Sequence, residues 1–101
     1  MKSLVINNVS YIVKKDVKDA IDVAILTEKI TDYYDSFDYI VGDWAYGKLR
    51  LKGFNNSNNK NFKATNDISK VEEYINNNCA YGCRWFILEK IKDWKHRIIL
   101  L

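Results

Sequence analysis

The chain has 101 residues, 48% of them hydrophobic and 14% aromatic, which is material for one globular domain with a single core and not for a disordered chain. Its formal net charge of +3 is too small for a polybasic, histone-like protein, and no apolar run approaches the ~20 residues that span a bilayer. The opening MKSLVINNVSY turns polar too early for a signal peptide, so a cytoplasmic location is expected, where Cys79 and Cys83 read as thiols in preference to a disulfide.

In chain order, LVINNVSYIV reads as two short strands joined at Asn7-Asn8, because asparagine tolerates the positive φ of a tight hairpin turn. A helix follows: Val23, Leu26, Ile30, Tyr33 and Phe37 recur at alternating spacings of three and four, one face of an α-helix. Asp22 is placed to cap its first amide groups, with Ile21 and Leu26 as a hydrophobic staple. Glu28, Asp32 and Asp35 fall off the stripe and read as a solvated face; residues 14–38 together carry a net charge of −3. Tyr39-Ile40-Val41 then opens a strand that runs into GDWAYGKLRLKGF, residues 42–54. Past Gly47, Leu49 and Leu51 point one way while Lys48, Arg50 and Lys52 point the other. Two strands turning near Tyr46-Gly47 make an antiparallel hairpin, with Gly53 near its end.

Residues 55–63 begin NNSNNKN, a polar tract with nothing to bury, and are expected to form a flexible loop. Ser69 and Glu72 signal a capping box for a second helix, with Ile68, Val71, Ile75 and Cys79 on one face and Gly82 as its terminator. RWFILEKI, residues 84–91, is apolar on both faces at its centre, which predicts an interior strand. Residues 94–101 read as an extra strand or a docking tail. The expected fold is a single small α+β domain over residues 1–101. It has an antiparallel-dominated sheet of about five strands, in the order hairpin, helix, hairpin, helix, strand, with two helices packed on it.

Two stretches carry a resemblance. FDYIVGDWAYGKLRLKGF (37–54) and CAYGCRWFILEK (79–90) are similar to the signatures of the YutD-like family, small proteins of low-GC Gram-positive bacteria and their relatives. The signature positions are Gly42, Asp43, Trp44, Gly47, Arg50 and Gly53 in the first stretch and Cys79, Gly82 and Cys83 in the second. The resemblance implies a compact cytosolic α+β domain of unassigned biochemical activity.

Asp43 is the only carboxylate of the densest motif, but no Ser-His-Asp or Cys-His arrangement accompanies it, and the sole histidine, His96, lies in the tail. Its preferred role is to bond backbone amides in the hairpin or to pair with Arg50. Cys79 and Cys83 have a permissible spacing for half a zinc site, and Arg84 would favour a thiolate, yet too few further ligands exist. Packing as small hydrophobes is preferred, and neither a metal nor a cofactor is expected. Gly42, Gly47 and Gly53 are too widely spaced for a nucleotide fingerprint.

What remains is a binding surface. Residues 43–63 carry a net charge of +4, and Lys48, Arg50 and Lys52 form a row with Trp44 and Tyr46 close by in sequence. Phosphate contacts plus base stacking on such a strand would hold single-stranded RNA or a ribonucleoprotein. The expected function is a small non-enzymatic binding module. The alternatives are a protein-interaction or regulatory adaptor and, below these, a thiol-redox or metal-binding protein.

Overall fold

The computed structural model describes residues 2–78 and 82–91; the expectations for Cys79 and for a tail at 94–101 lie outside them. Five strands form one sheet: β1 (Ser3–Ile6), β2 (Val9–Val17), β3 (Tyr39–Ala45), β4 (Lys48–Phe54) and β5 (Trp85–Lys90). Their spatial order is β1-β2-β5-β3-β4, and every neighbouring pair is antiparallel. Two α-helices, α1 (Val23–Lys29) and α2 (Val71–Asn78), complete the α+β domain. No helix among the described residues is long and apolar enough to cross a membrane.

The interior strand expected at 84–91 is β5, flanked by β2 and β3. Phe86 and Leu88 lie in a core cluster with Leu26 and Ile30 of the α1 segment, while Ile87 lies in a second cluster with Val71 and Ile75 of α2. Successive strand residues point to opposite faces. The helices therefore cover opposite faces of the sheet, and the apolar centre of β5 is explained by a layer on each side. In β2 the register shifts between Val13 and Lys15, which moves the odd-numbered side chains from one face to the other. Tyr11 and Val13 face the α1 layer, and beyond the bulge Lys15 lies 5.8 Å from the Trp85 ring on the other side.

The first helix is shorter than the apolar stripe predicts. Asp22 caps it as expected, accepting from the Ile25 amide at 3.1 Å. It stops at Ile30, whose φ/ψ of −82°/110° is extended. The cause is tertiary: Asn7, in the left-handed β1–β2 turn, donates to the carbonyls of Thr27 and Ile30 at 3.1 and 2.9 Å and satisfies the helix end. Tyr33 and Phe37 then belong to a 3-10 turn, Asp32–Ser36 and its cap, and Tyr33 is 66% exposed.

The second helix starts from a different cap than Ser69. Asp67 accepts from the Ser69 amide and hydroxyl at 3.0 and 2.8 Å, opening a 3-10 turn at Ile68–Lys70 that runs into α2. These bonds hold the Asp67 carboxyl below its ordinary value. The polar tract after β4 buries one side chain, Asn55, which is 0% exposed, and Asn66 just beyond the tract is buried as well. Asn55 accepts from the Asp38 amide at 2.8 Å and from Asn59 at 3.0 Å, while Asn66 donates to the Asn61 carbonyl at 3.2 Å. Asparagine carries both donors and acceptors, so a polar loop can fold around its own side chains.

Burial pushes the phenols of Tyr11, Tyr34, Tyr39 and Tyr74 above their ordinary value. It pushes Lys90, which donates to the carbonyls of Tyr34 and Asp35, below its own. Above about pH 10 the unfolded chain releases phenol protons that the folded chain keeps, so it binds fewer protons and stability falls as pH rises. Lys90 acts in the opposite sense, because its burial penalty disappears on deprotonation, but it is one group against four. Urea-unfolding midpoints should therefore drop between about pH 9 and about pH 11, and Tyr11→Phe should flatten the drop.

Candidate binding surface

The hairpin of β3 and β4 holds the residues singled out from sequence. Its turn is Tyr46-Gly47, with φ of 54° and 75°. Positive φ at both central positions is the two-residue geometry that matches strand twist. The turn sets the register: Ala45 faces Lys48, Trp44 faces Leu49 and Asp43 faces Arg50.

This register divides the expected binding set. Lys48, Arg50 and Lys52 share the face of Phe54, which belongs to the α2-side core. Trp44 shares the opposite face with Leu49, in the α1-side core. The Trp44 indole donates to the Ala20 carbonyl at 2.8 Å, and the Arg84 guanidinium covers its ring at 4.7 Å from the centroid. Arg84 also donates to the Asp19 carbonyl at 2.9 Å, so the cation assigned to a thiolate is occupied in holding the turn after β2. Trp44 therefore lies away from the cationic row, while Tyr46 stands fully exposed at the tip.

The row itself is partly engaged. Arg50 forms an ion pair with Asp43, which is 1% exposed, and donates to the Asn78 carbonyl of α2 at 2.7 Å. The hydrogen bond to Asp43, reinforced by its charge, raises the guanidinium above its ordinary value. Lys52 lies 5.4 Å from the Phe54 ring and 5.6 Å from the Tyr74 ring, rings that are themselves packed edge to face. Lys48 alone of the three is exposed without such a contact among the described residues.

Two signature glycines act by leaving room. A Cβ on Gly42 would sit 2.2 Å from the Phe86 ring, and one on Gly53 2.2 Å from the Phe37 ring. Gly82 accepts from Lys18 at 2.7 Å. Cys83 is half-buried and disulfide-bonded, which corrects the expectation of a free thiol at that position; Cys79 lies outside the described residues.

Residues 5–89 match the family model described as "Putative antitoxin YutD-like". The chain belongs to the YutD-like family. It is 36% identical over 89 residues to "Putative antitoxin YutD" of Bacillus subtilis strain 168, a match covering 88% of this chain and 98% of that protein. It is also similar to the solution NMR structure of protein yutD from B. subtilis, with a TM-score of 0.74 and 35% identity over 91% of this chain and 84% of that one. In this member of the YutD-like family the first signature is largely spent on assembly. Asp43 and Arg50 tie α2 to the sheet, Trp44 ties the turn after β2, and Gly42 and Gly53 admit two aromatic rings.

Sequence reasoning missed one feature of the surface. Beside the outer edge of β4 on the α1 side lies a cleft of about 260 Å³, lined by Tyr33, Phe37, Leu51, Lys52, Lys63 and Thr65 among others. Its residues come from three separate segments, and no local spacing links them. The face of Trp44, by contrast, is readable from sequence: in a two-residue hairpin its partner is Leu49, which the alternation of the strand turns inward.

Gly42→Ala should destabilise the domain by about 2–3 kcal/mol through overpacking, with a smaller cost in a Phe86→Leu background; urea titrations of the four variants of the cycle measure both. Arg50→Ala leaves a buried carboxylate without its partner and should lower the thermal midpoint by roughly 8 °C. Replacing the pair together, Asp43→Leu with Arg50→Met, should cost less, as read by circular dichroism melts.

Proposed function

We propose that this chain is a non-enzymatic binding module of the cytoplasm that acts by holding a partner protein, in keeping with the antitoxin name of its B. subtilis relative. The observation that carries this reading is Tyr46. A tyrosine with φ of 54° occupies backbone that costs an L-residue roughly 1–2 kcal/mol, and its side chain gains nothing from the core because it is fully exposed. Asparagine or glycine would suit the turn better. A large aromatic kept in such a place is the kind of rigid anchor that dominates protein interfaces.

Association with RNA or a ribonucleoprotein is the second reading, favoured by the +4 charge of residues 43–63 and by Tyr46 as a stacking ring. It has less support than the basic row promised, because Arg50 and Lys52 are engaged and Trp44 lies on the other face.

The deciding measurement is retention of partners from native cytoplasm on the immobilised chain, with and without nuclease. One protein should remain in stoichiometric amount after nuclease treatment. Tyr46→Asn should raise stability in urea by about 1 kcal/mol and abolish that retention. Material lost with nuclease would establish the RNA reading instead, and retention unchanged by Tyr46→Asn would remove Tyr46 as the anchor.

A further inference from the structure

Resting on the protein-binding reading, we propose that the partner supplies an extended acidic segment, which joins the free edge of β4 as an added strand between the Tyr46 tip and the Lys63 cleft.

Among the described residues β4 is the last strand of the sheet, and within its own span it pairs with β3 alone. Just past its end Asn55 forms an isolated parallel bridge with Asp67, so the open part of the edge is the stretch toward the turn. The two-residue turn makes Ala45 and Lys48 its closing hydrogen-bonded pair. Pairs along an antiparallel ladder alternate, so Lys48, Arg50 and Lys52 turn their backbone groups to β3 while Leu49 and Leu51 turn theirs outward. The Trp44 amide, which donates to the Arg84 carbonyl beyond β5's first residue at 3.0 Å, sets the same phase from the other side of β3.

Native proteins blunt such edges with proline, bulges, short strands or charges. The chain has no proline, the β3–β4 register runs without a shift, and β4 has seven residues against four in β1 at the opposite edge. Of its three cations, Arg50 and Lys52 are drawn onto the α2 face by Asp43 and by the Phe54 and Tyr74 rings. The outward groups of Leu49 and Leu51 are thus left as a template for strand addition.

The charge of the added strand follows from the flanks. The cleft beside the edge on the α1 side carries Lys63 and no carboxylate among its lining residues, with Tyr33 and Phe37 as its aromatic wall. Lys52 borders it from the strand but turns its ammonium to the Phe54 and Tyr74 rings on the other face. Lys48 is exposed at the other end, next to Tyr46. On the α2 flank, Asp67 and Glu73 stand against Lys52 and Lys70, so that side has no net preference. An incoming strand alternates its side chains, and those falling on the α1 side meet Lys63 and the two rings, which suits carboxylates interleaved with small apolar or hydroxyl groups.

The test uses amide hydrogen exchange by NMR on the full chain. The probes are a short acetylated, amidated peptide alternating threonine and glutamate, its lysine counterpart, and oligouridylate. The glutamate peptide should slow exchange at Leu49 and Leu51 by roughly tenfold or more, the lysine peptide should not, and Lys63→Glu should reverse the preference. Absence of protection at saturating glutamate peptide, equal protection by both peptides, or protection by oligouridylate in their place overturns the proposal. A protein retained after nuclease that leaves Leu49 and Leu51 unprotected also overturns strand addition while the protein-binding reading stands. If no protein is retained, that reading falls whatever the peptides do.

Discussion

The fold depends on placing β5 between β2 and β3. It is formed by residues 85–90 yet occupies the centre of a sheet whose other strands are complete by residue 54. Without it the β1–β2 hairpin and the β3–β4 hairpin have no common partner, and each would expose an apolar face too small to stand alone. Phe86 fixes the arrangement, because its ring lies directly on Gly42 of β3, where a Cβ would collide with it. Both helices then dock on what β5 has joined: the α1 segment over Phe86 and Leu88, and α2 over Ile87.

That constraint explains why the family signature in the hairpin is mostly architectural in this chain. Asp43 is buried on the α2 side and needs Arg50, and Arg50 in turn reaches the last carbonyl of α2. One guanidinium thereby neutralises a buried carboxylate and satisfies a helix end. Trp44, one residue on, does the equivalent work on the other face by bonding Ala20 beneath Arg84. These ties leave unused the tip of the hairpin, its outer edge and the cations that remain exposed.

Much of the fold was legible because it depends on local periodicity. The alternation of Leu49 and Leu51 with lysines and arginine, the apolar centre of RWFILEKI and the paired asparagines of the first turn each report a backbone state directly. The end of α1 was not legible, since the apolar stripe continues to Phe37 and only the distant Asn7 side chain closes the helix at Ile30. The asparagine tract was legible only in part: most of residues 55–63 is exposed, as polarity suggests, but Asn55 at its start is buried and accepts from the Asp38 amide. At the site, the row of Lys48, Arg50 and Lys52 was read correctly as one face of a strand. That the face was partly covered depended on α2, which the sequence places nowhere in particular.

The amino-acid sequence by itself determined the strands, the hairpin turns, the interior character of β5 and even the facing of Asp43 and Arg50, because all of these follow from neighbouring residues obeying a repeat of two or a turn of fixed length. Tertiary structure alone decided which helix lies on which face, which cations are engaged, and that Tyr33, Phe37 and Lys63 meet beside an open strand edge. Those facts join segments separated by many residues, and their physical causes are burial and hydrogen bonding across the sheet, which no local pattern records.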